Sequence, residues 1–343
     1  MNTAPPTPAV WFPAIRAGSG ADVFTERLVA GLQERGIRAE ITWLPHRAEY
    51  APWSVAAPQP PRWATVVHVN SWLPPRFVPR QLPLIMNMLH CVHDPALAPY
   101  KSMPQKLYHH WWIKPTERAL IRRARHIVAI SRYTADRTRE AFRTGDISVI
   151  PIGIQPDGPF QPPHAQTSAH HPFRLLFVGN WSARKGCDLL APIMRTLGKD
   201  FELWALTGLR GHRPDNLPAN VRLLARRENE NALAELYHEC DALLFPSRLE
   251  GFGMVALEAQ SCGLPVVATN GSALPEVVED GVSGLLCSPE SPEEFAQAAR
   301  RLAEDKGVFD SLRIGARRRV IEYFDMGRMI DCYIALYEST LSR

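Results

Sequence analysis

Residues 250–258 read Glu-Gly-Phe-Gly-Met-Val-Ala-Leu-Glu, which sets two carboxylates eight positions apart across a glycine-flanked turn and the start of an apolar helix. A strand over Asp241–Phe245, closed by Pro246, is expected to lead in. A helix from about Met254 is stopped at Gly263-Leu-Pro, and a second strand, Leu264–Thr269, follows. The loop then lies at the carboxyl end of a parallel sheet, the edge at which open α/β sheets bind ligands. Its glycines let backbone approach a ligand closely, and the N–H groups of the helix start favour an anion such as a diphosphate. Glu250 falls on the loop and Glu258 a little over one turn into the helix, so the two face different parts of one ligand. Carboxylates accept hydrogen bonds from vicinal hydroxyls, which lets one hold a ribose and the other a sugar ring beside the phosphates. The plainer reading makes Glu258 a complement to the helix dipole and Glu250 a solvated loop charge.

A second constellation has the opposite sign. Gly179-Asn-Trp-Ser-Ala-Arg-Lys-Gly186 joins an expected strand, Arg174–Val178, to an expected helix, Cys187–Leu197. Arg184, Lys185 and the positive end of the helix dipole thus converge on one point. Cations for a diphosphate and carboxylates for sugar hydroxyls on one sheet edge are what a nucleotide sugar requires. For Arg184 a solvated loop charge is the competing reading.

The elements that must position these groups alternate strand and helix along the chain. In the amino half, the loop Arg16-Ala-Gly18-Ser-Gly20-Ala-Asp22 opens a helix that ends at Gly36, and strands are expected at Ala39–Leu44, Thr65–Val69, Leu82–Leu89 and His126–Ile130. After a Pro-, His-, Gln- and Ser-rich break from Gln155 to Pro172, taken as the domain linker, the alternation restarts. It adds strands Phe201–Leu206 and Val221–Leu224 and a helix Asn231–Cys240. This predicts an α/β protein of two Rossmann-like, doubly wound domains facing a central cleft. The boundaries are 1–160 for an acceptor-binding domain and 172–325 for a donor-binding domain. A final helix over 326–343, apolar on more than one face, packs back on the first.

The 343 residues and 45% hydrophobic content fit two cores. Residues 1–150 hold 19 Lys and Arg against 10 Asp and Glu, a net +9, and the remainder holds 20 against 25, a net −5. A basic amino half suits an anionic partner or is a solvated face. The cysteines at 91, 187, 240, 262, 287 and 332 show no paired spacing and read as reduced thiols. The start, Met1–Pro8, shows neither a charged leader nor an apolar run, and no stretch approaches the roughly 20 residues that span a bilayer.

Several motifs in a fixed order resemble the retaining glycosyltransferases of family 4, which have the GT-B architecture. They are Phe177-Val-Gly179 followed by Arg184-Lys185-Gly186, Pro246-Ser247 before Glu250-Gly-Phe-Gly-Met, and Glu258-Ala before Gly263-Leu-Pro-Val-Val-Ala. Pro275-Glu-Val-Val before Gly284-Leu-Leu completes the series. Fainter matches run through the amino half at Gly18-Ser-Gly20, Val67-His68-Val-Asn and His126-Ile-Val-Ala-Ile-Ser131.

The resemblance implies that Glu258 binds the donor ribose, that Glu250 sits near the sugar and assists its departure, and that Phe252, Gly253, Met254 and Val255 contact sugar or diphosphate. Lys185 and Arg184 would neutralise the leaving diphosphate without a metal or other cofactor, and Gly18 and Gly20 would belong to the donor site. The family's arginine after Val-Gly is Asn180 here, which leaves Arg184 as its substitute. The family's histidine at a strand end near the reacting sugar matches His90 or His93, and His90 is preferred because it directly ends the strand. A His-x-x-His metal pair lacks a third ligand.

The expected activity is transfer of a sugar from a UDP or GDP sugar to a hydroxyl of an acceptor glycan, free or lipid-linked, in lipopolysaccharide or surface polysaccharide assembly. The enzyme would be cytoplasmic or peripheral at an anionic membrane, with Tyr108–Lys114 contacting an acceptor or membrane lipid, or else packing its paired tryptophans into the core. The alternatives are a nucleotide-sugar hydrolase or epimerase of the same fold, or a non-catalytic nucleotide or nucleic-acid binder. Nucleic acid is disfavoured because the two glutamates repel phosphate backbones.

Overall fold

A computed structural model of the chain describes residues 7–163, 169–208, 216–225 and 227–342. It divides into two compact units, residues 1–153 with 326–343 and residues 154–325. Each unit is built on one six-stranded sheet whose pairings are all parallel. This is the two-domain, Rossmann-like α/β architecture expected from the alternation of strand and helix.

In the first unit the elements are β1 (Ala9–Ile15), α1 (Gly20–Glu34), β2 (Arg38–Leu44), β3 (Val66–Asn70) and β4 (Leu84–Met88). They continue with α2 (Met103–Tyr108), a π-helical turn over His109–Ile113, α3 (Lys114–Arg123), β5 (His126–Ala129), α4 (Arg132–Phe142) and β6 (Ser148–Val149). The sheet order is β2-β1-β3-β4-β5-β6. Strand β1 lies inside the sheet yet escapes the sequence reading, because Pro13 interrupts its apolar run and proline is normally confined to edges and strand ends. Its pairing with β3 covers only Val10 and Trp11, so Pro13 falls beyond that ladder and its missing N–H costs nothing there.

The second unit holds β7 (Phe173–Gly179), α5 (Cys187–Leu197), β8 (Phe201–Thr207), β9 (Val221–Leu224), α6 (Glu230–His238) and β10 (Ala242–Phe245). After these come α7 (Met254–Ser261), β11 (Val266–Thr269), α8 (Leu274–Val277), β12 (Gly284–Cys287), α9 (Pro292–Glu304) and α10 (Lys306–Tyr323). Its sheet order is β12-β11-β10-β7-β8-β9. The chain builds outward from β7 to β9, then returns to the other side of β7 with β10. Loops leaving β7 and β10 therefore diverge at adjacent strand ends, and this reversal point is where such sheets open a crevice.

Helix α5 shows how packing overrides local preference. Pro192 stands inside it, and an interior proline costs about 3 kcal/mol. Leu190, Ile193, Met194 and Leu197 recur on one face and are buried, and each contributes about 1.5–3 kcal/mol. The apolar face outweighs the lost hydrogen bond. In α10 the constraint is steric instead: a Cβ on the buried Gly315 would stand 1.9 Å from the Val282 carbonyl oxygen. Gly315→Ala is expected to destabilise the protein by about 3 kcal/mol through forced backbone displacement, measured as a lower urea midpoint; an unchanged midpoint would mean the helix shifts freely.

The last helix, α11 (Met326–Leu341), belongs to the first unit. Burial pushes His68 down to about 3 against an opposing hydrogen bond to Asn87, so its ring is neutral, and its Nδ1 is hydrogen-bonded with the Tyr337 hydroxyl at 2.7 Å. Tyr333 donates to Asn87 Oδ1 at 3.2 Å. The break expected at Gln155–Pro172 includes residues 164–168, which lie outside the described residues. Its described start packs within the second unit: Phe160 is buried, and its carbonyl accepts from Ser261 Oγ at 2.5 Å.

Candidate functional site

The loop after β7 folds into one 3₁₀ turn, Ala183–Lys185, and then Gly186 adopts a left-handed conformation with φ +69° to start α5. A Cβ at Gly186 would stand 2.1 Å from the Pro246 carbonyl oxygen, so only glycine lets this loop lie flush against the loop after β10. That contact brings together groups 65 positions apart. Lys185 Nζ donates to Glu250 Oε1 at 2.5 Å, and Ser247 Oγ donates to the same oxygen at 2.6 Å. The Glu250 N–H is held by Ser272 Oγ at 3.0 Å, from the loop after β11. No hydrogen bond engages Glu250 Oε2 among the described residues.

Glu250 is buried, and burial pushes its carboxyl up. The charges of Lys185 and then Arg184, with the hydrogen bonds from Lys185 and Ser247, outweigh that push and hold it below the usual carboxylate range. It is therefore an ionised carboxylate with one oxygen fixed and the other available to a ligand. This excludes the solvated-charge reading of Glu250.

Arg184 donates from Nη1 to the Leu249 carbonyl at 2.8 Å, and its own carbonyl accepts from the Arg248 N–H at 2.9 Å. It is tied to the β10 loop and is not a freely solvated charge. The Asn180 side chain instead turns against Gly208, at the end of β8. Arg248 clamps the edge from outside, chelating Asp188 at 2.6 and 2.8 Å while also pairing with Glu290 and the Ala183 carbonyl. Sequence reading passed over Arg248, Ser247 and Ser272 as site residues. Their types are ordinary in loops, and only the crossing of three loops gives them partners.

Helix α7 begins after Gly253, whose φ of +107° turns the chain into the first turn. Phe252 is buried and packs edge-on against Phe324, while Met254 and Val255 open the helix, where N–H groups lack intrahelical acceptors. Glu258 is buried one turn later and accepts from the Tyr237 hydroxyl at 3.3 Å. Burial, followed by the Glu258 charge, raises the Tyr237 phenol well above its ordinary value, so it stays a donor. Tyr237 reads as plain core in the sequence, and no spacing signals its role.

The remaining predicted residues belong to the first unit. Gly18 sits with φ +64° after β1, and its N–H and that of Ala17 donate to Asp22 Oδ2 at 2.8 and 3.0 Å, while Gly20 opens α1. Strand β4 ends at Met88, two residues before His90, which lies half-buried on the following loop; the sequence reading placed it directly at the strand end. His93 Nε2 pairs with the fully buried Glu117 at 2.8 Å, and Glu117 also accepts from Ser71 Oγ at 2.8 Å. Asp94 caps the turn that follows by accepting from the Ala96 N–H. Among the described residues, no group of three or more His, Cys, Asp or Glu side chains could hold a metal ion.

Comparison with known proteins gives two family matches. A family described as "Glycosyl transferases group 1" matches residues 172–305, and one described as "Glycosyltransferase Family 4" matches residues 18–157. The glycogen synthase of Mycobacterium tuberculosis is 31% identical over 228 residues, which is 62% of this chain and 54% of that protein. The chain spans about half the length of the curated relatives it matches. Among solved structures, the sucrose-phosphate synthase of Thermosynechococcus elongatus superposes with a TM-score of 0.78 at 18% identity, covering 98% of this chain and 99% of that one. Anabaena HepE in complex with UDP superposes with a TM-score of 0.69 at 18% identity, covering 97% and 100%.

Proposed function

The chain belongs to the family 4, group 1 glycosyltransferases, and from that premise we propose that it transfers a sugar from a nucleoside diphosphate to an acceptor hydroxyl with retention at the anomeric carbon. The observation that carries this reading is the Lys185–Glu250 pair at the reversal point between β7 and β10. In this reading the diphosphate lies over the first turn of α7, where N–H dipoles and the charges of Lys185 and Arg184 offset its negative charge. Arg184 takes the place of the cation absent at Asn180. Glu250 Oε2 accepts from a hydroxyl of the sugar, and Glu258 accepts from the ribose.

Transfer then breaks the bond between the anomeric carbon and the diphosphate oxygen. The acceptor oxygen bonds to the same face of that carbon, and its proton passes to the departing phosphate. Lys185 and Arg184 act where charge grows, on the leaving diphosphate, so their interaction strengthens toward the transition state. In the first unit His90 keeps the role that the family resemblance implies for the histidine near the reacting sugar, while His93 pairs with Glu117.

The UDP complex of HepE favours UDP as the probe of first choice. UDP at saturating concentration is expected to raise Tm by on the order of 5 °C with or without magnesium, with GDP and ADP as comparisons. No rise with any nucleoside diphosphate would overturn the donor site. A product formed equally well without acceptor would make the chain a hydrolase.

A further inference from the structure

Five large apolar side chains of the first unit stand exposed: Tyr50 at 52%, Trp53 at 69%, Met103 at 65%, Leu107 at 54% and Trp111 at 71%. They lie on two segments that touch. The Trp53 and Trp112 rings meet edge to face at 6.1 Å, the Tyr108 hydroxyl donates to Glu49 Oε1 at 2.8 Å, and Trp112 Nε1 donates to the Glu49 carbonyl at 2.7 Å. Met103, Leu107 and Trp111 recur every fourth residue along α2 and the π-helical turn, so they share a face. Beside them Lys106, His110 and Lys114 recur at the same interval, and Arg118 and Arg122 extend the row along α3.

Charge completes the picture. No Asp or Glu occurs from Pro95 to Thr116. The acids that flank or touch this stretch are withdrawn: Asp94 is buried and caps the Ala96 N–H, Glu117 is fully buried against His93 and Ser71, and Glu49 is bonded to Tyr108. The helix is also fixed in advance by a capping box, in which Gln105 N–H donates to Ser102 Oγ and Ser102 N–H to Gln105 Oε1.

We propose that this face, Met103, Leu107 and Trp111 with Trp53 and the lysines at 106 and 114, docks the chain onto an anionic lipid surface. An amphipathic helix with tryptophan on one side and cations on the other lies in the plane of a bilayer interface, its rings at headgroup depth and its cations against lipid phosphate. Among the described residues no helix is long and apolar enough to cross a membrane, so the contact is one of surface only. A border carrying Lys106, Lys114, Arg118 and Arg122, with acids withdrawn, fits a uniformly anionic surface better than a protein partner, whose surface mixes both signs. The inference does not depend on the transferase reading.

The test is co-sedimentation of the full chain with vesicles of phosphatidylglycerol and phosphatidylcholine, and of phosphatidylcholine alone. Binding is expected on the anionic vesicles at low salt, with release at high salt. The Lys106→Gln/Lys114→Gln pair should weaken it about 30-fold, at about fivefold per cation. The Trp53→Ser/Trp111→Ser pair should abolish it, while Ile314→Ser, exposed on α10 in the other unit, should leave it unchanged. Absence of the wild-type chain from the anionic pellet would overturn the proposal, as would pelleting of both double variants like wild type. A homodimer in solution that the tryptophan pair dissolves, without vesicle binding, would overturn it in favour of a contact between copies.

Discussion

Lys185→Ala is expected to lower kcat/KM for the donor sugar by about 10²–10³, the cost of removing one preorganised group that meets charge developing in the transition state. The same change acts on Glu250. With Lys185 gone, the push from burial meets only Arg184 and Ser247, and the Glu250 carboxyl rises from its depressed value. The acid limb of the pH–rate profile should therefore move to higher pH in the variant. Stability follows the same sign. Because the folded-state value of Glu250 is lowered, its contribution is present above the unfolded value, roughly 4.3, and is lost as pH falls through the folded value.

The pair is mostly buried, Lys185 at 14% and Glu250 at 10% side-chain exposure, so removing one partner strands a charge at a cost of about 3–5 kcal/mol. Lys185→Met combined with Glu250→Gln should then be less destabilising than the two single changes summed. Urea unfolding of the four proteins measures this coupling, and single-turnover kinetics measures the chemical loss. Wild-type kcat/KM in Lys185→Ala would remove Lys185 from the mechanism.

For Glu258 the expected loss is in binding. Glu258→Ala should weaken UDP about 100-fold, as expected when a charged acceptor is removed from a pair of hydroxyls, and the Tm rise with UDP should disappear at concentrations that saturate wild type. The Ala variant also costs the Tyr237 hydroxyl its bond to Oε2 and leaves it the Val255 carbonyl at 3.4 Å, so a stability loss of about 0.5–1.5 kcal/mol accompanies it. Two further changes separate these effects. Glu258→Gln keeps an acceptor for Tyr237 and loses the charge, so its fold should hold while UDP binding still falls. Tyr237→Phe removes one bond to the carboxylate and should change UDP affinity only severalfold. A Glu258→Gln protein that binds UDP like wild type would confine Glu258 to a structural role.

The legible part of the site lay where backbone chemistry dictates residue type. Gly186 and Gly253 occupy left-handed conformations that punctuate strand-to-helix loops, and such loops can be placed from sequence because glycine there has a local cause. Short spacings alone place Glu250, Lys185 and Arg184 on those loops and Glu258 in the helix that follows one of them. Strand β1 was missed because a proline inside a strand is tolerated only through its register with neighbours, and register is a property of the assembled sheet.

By itself, then, the sequence determined the alternation of strand and helix, the glycine turns and the charges they carry. It did so because periodicity and backbone conformation act over a few residues. The assembled sheet decided which charges meet. The reversal of strand order between β7 and β10 sets Lys185 against Glu250 across 65 positions, Tyr237 reaches Glu258 from α6, and Glu117 takes His93. Each of these partners is chosen by burial, since a charge or hydroxyl carried out of water must find its counterpart wherever packing has placed one.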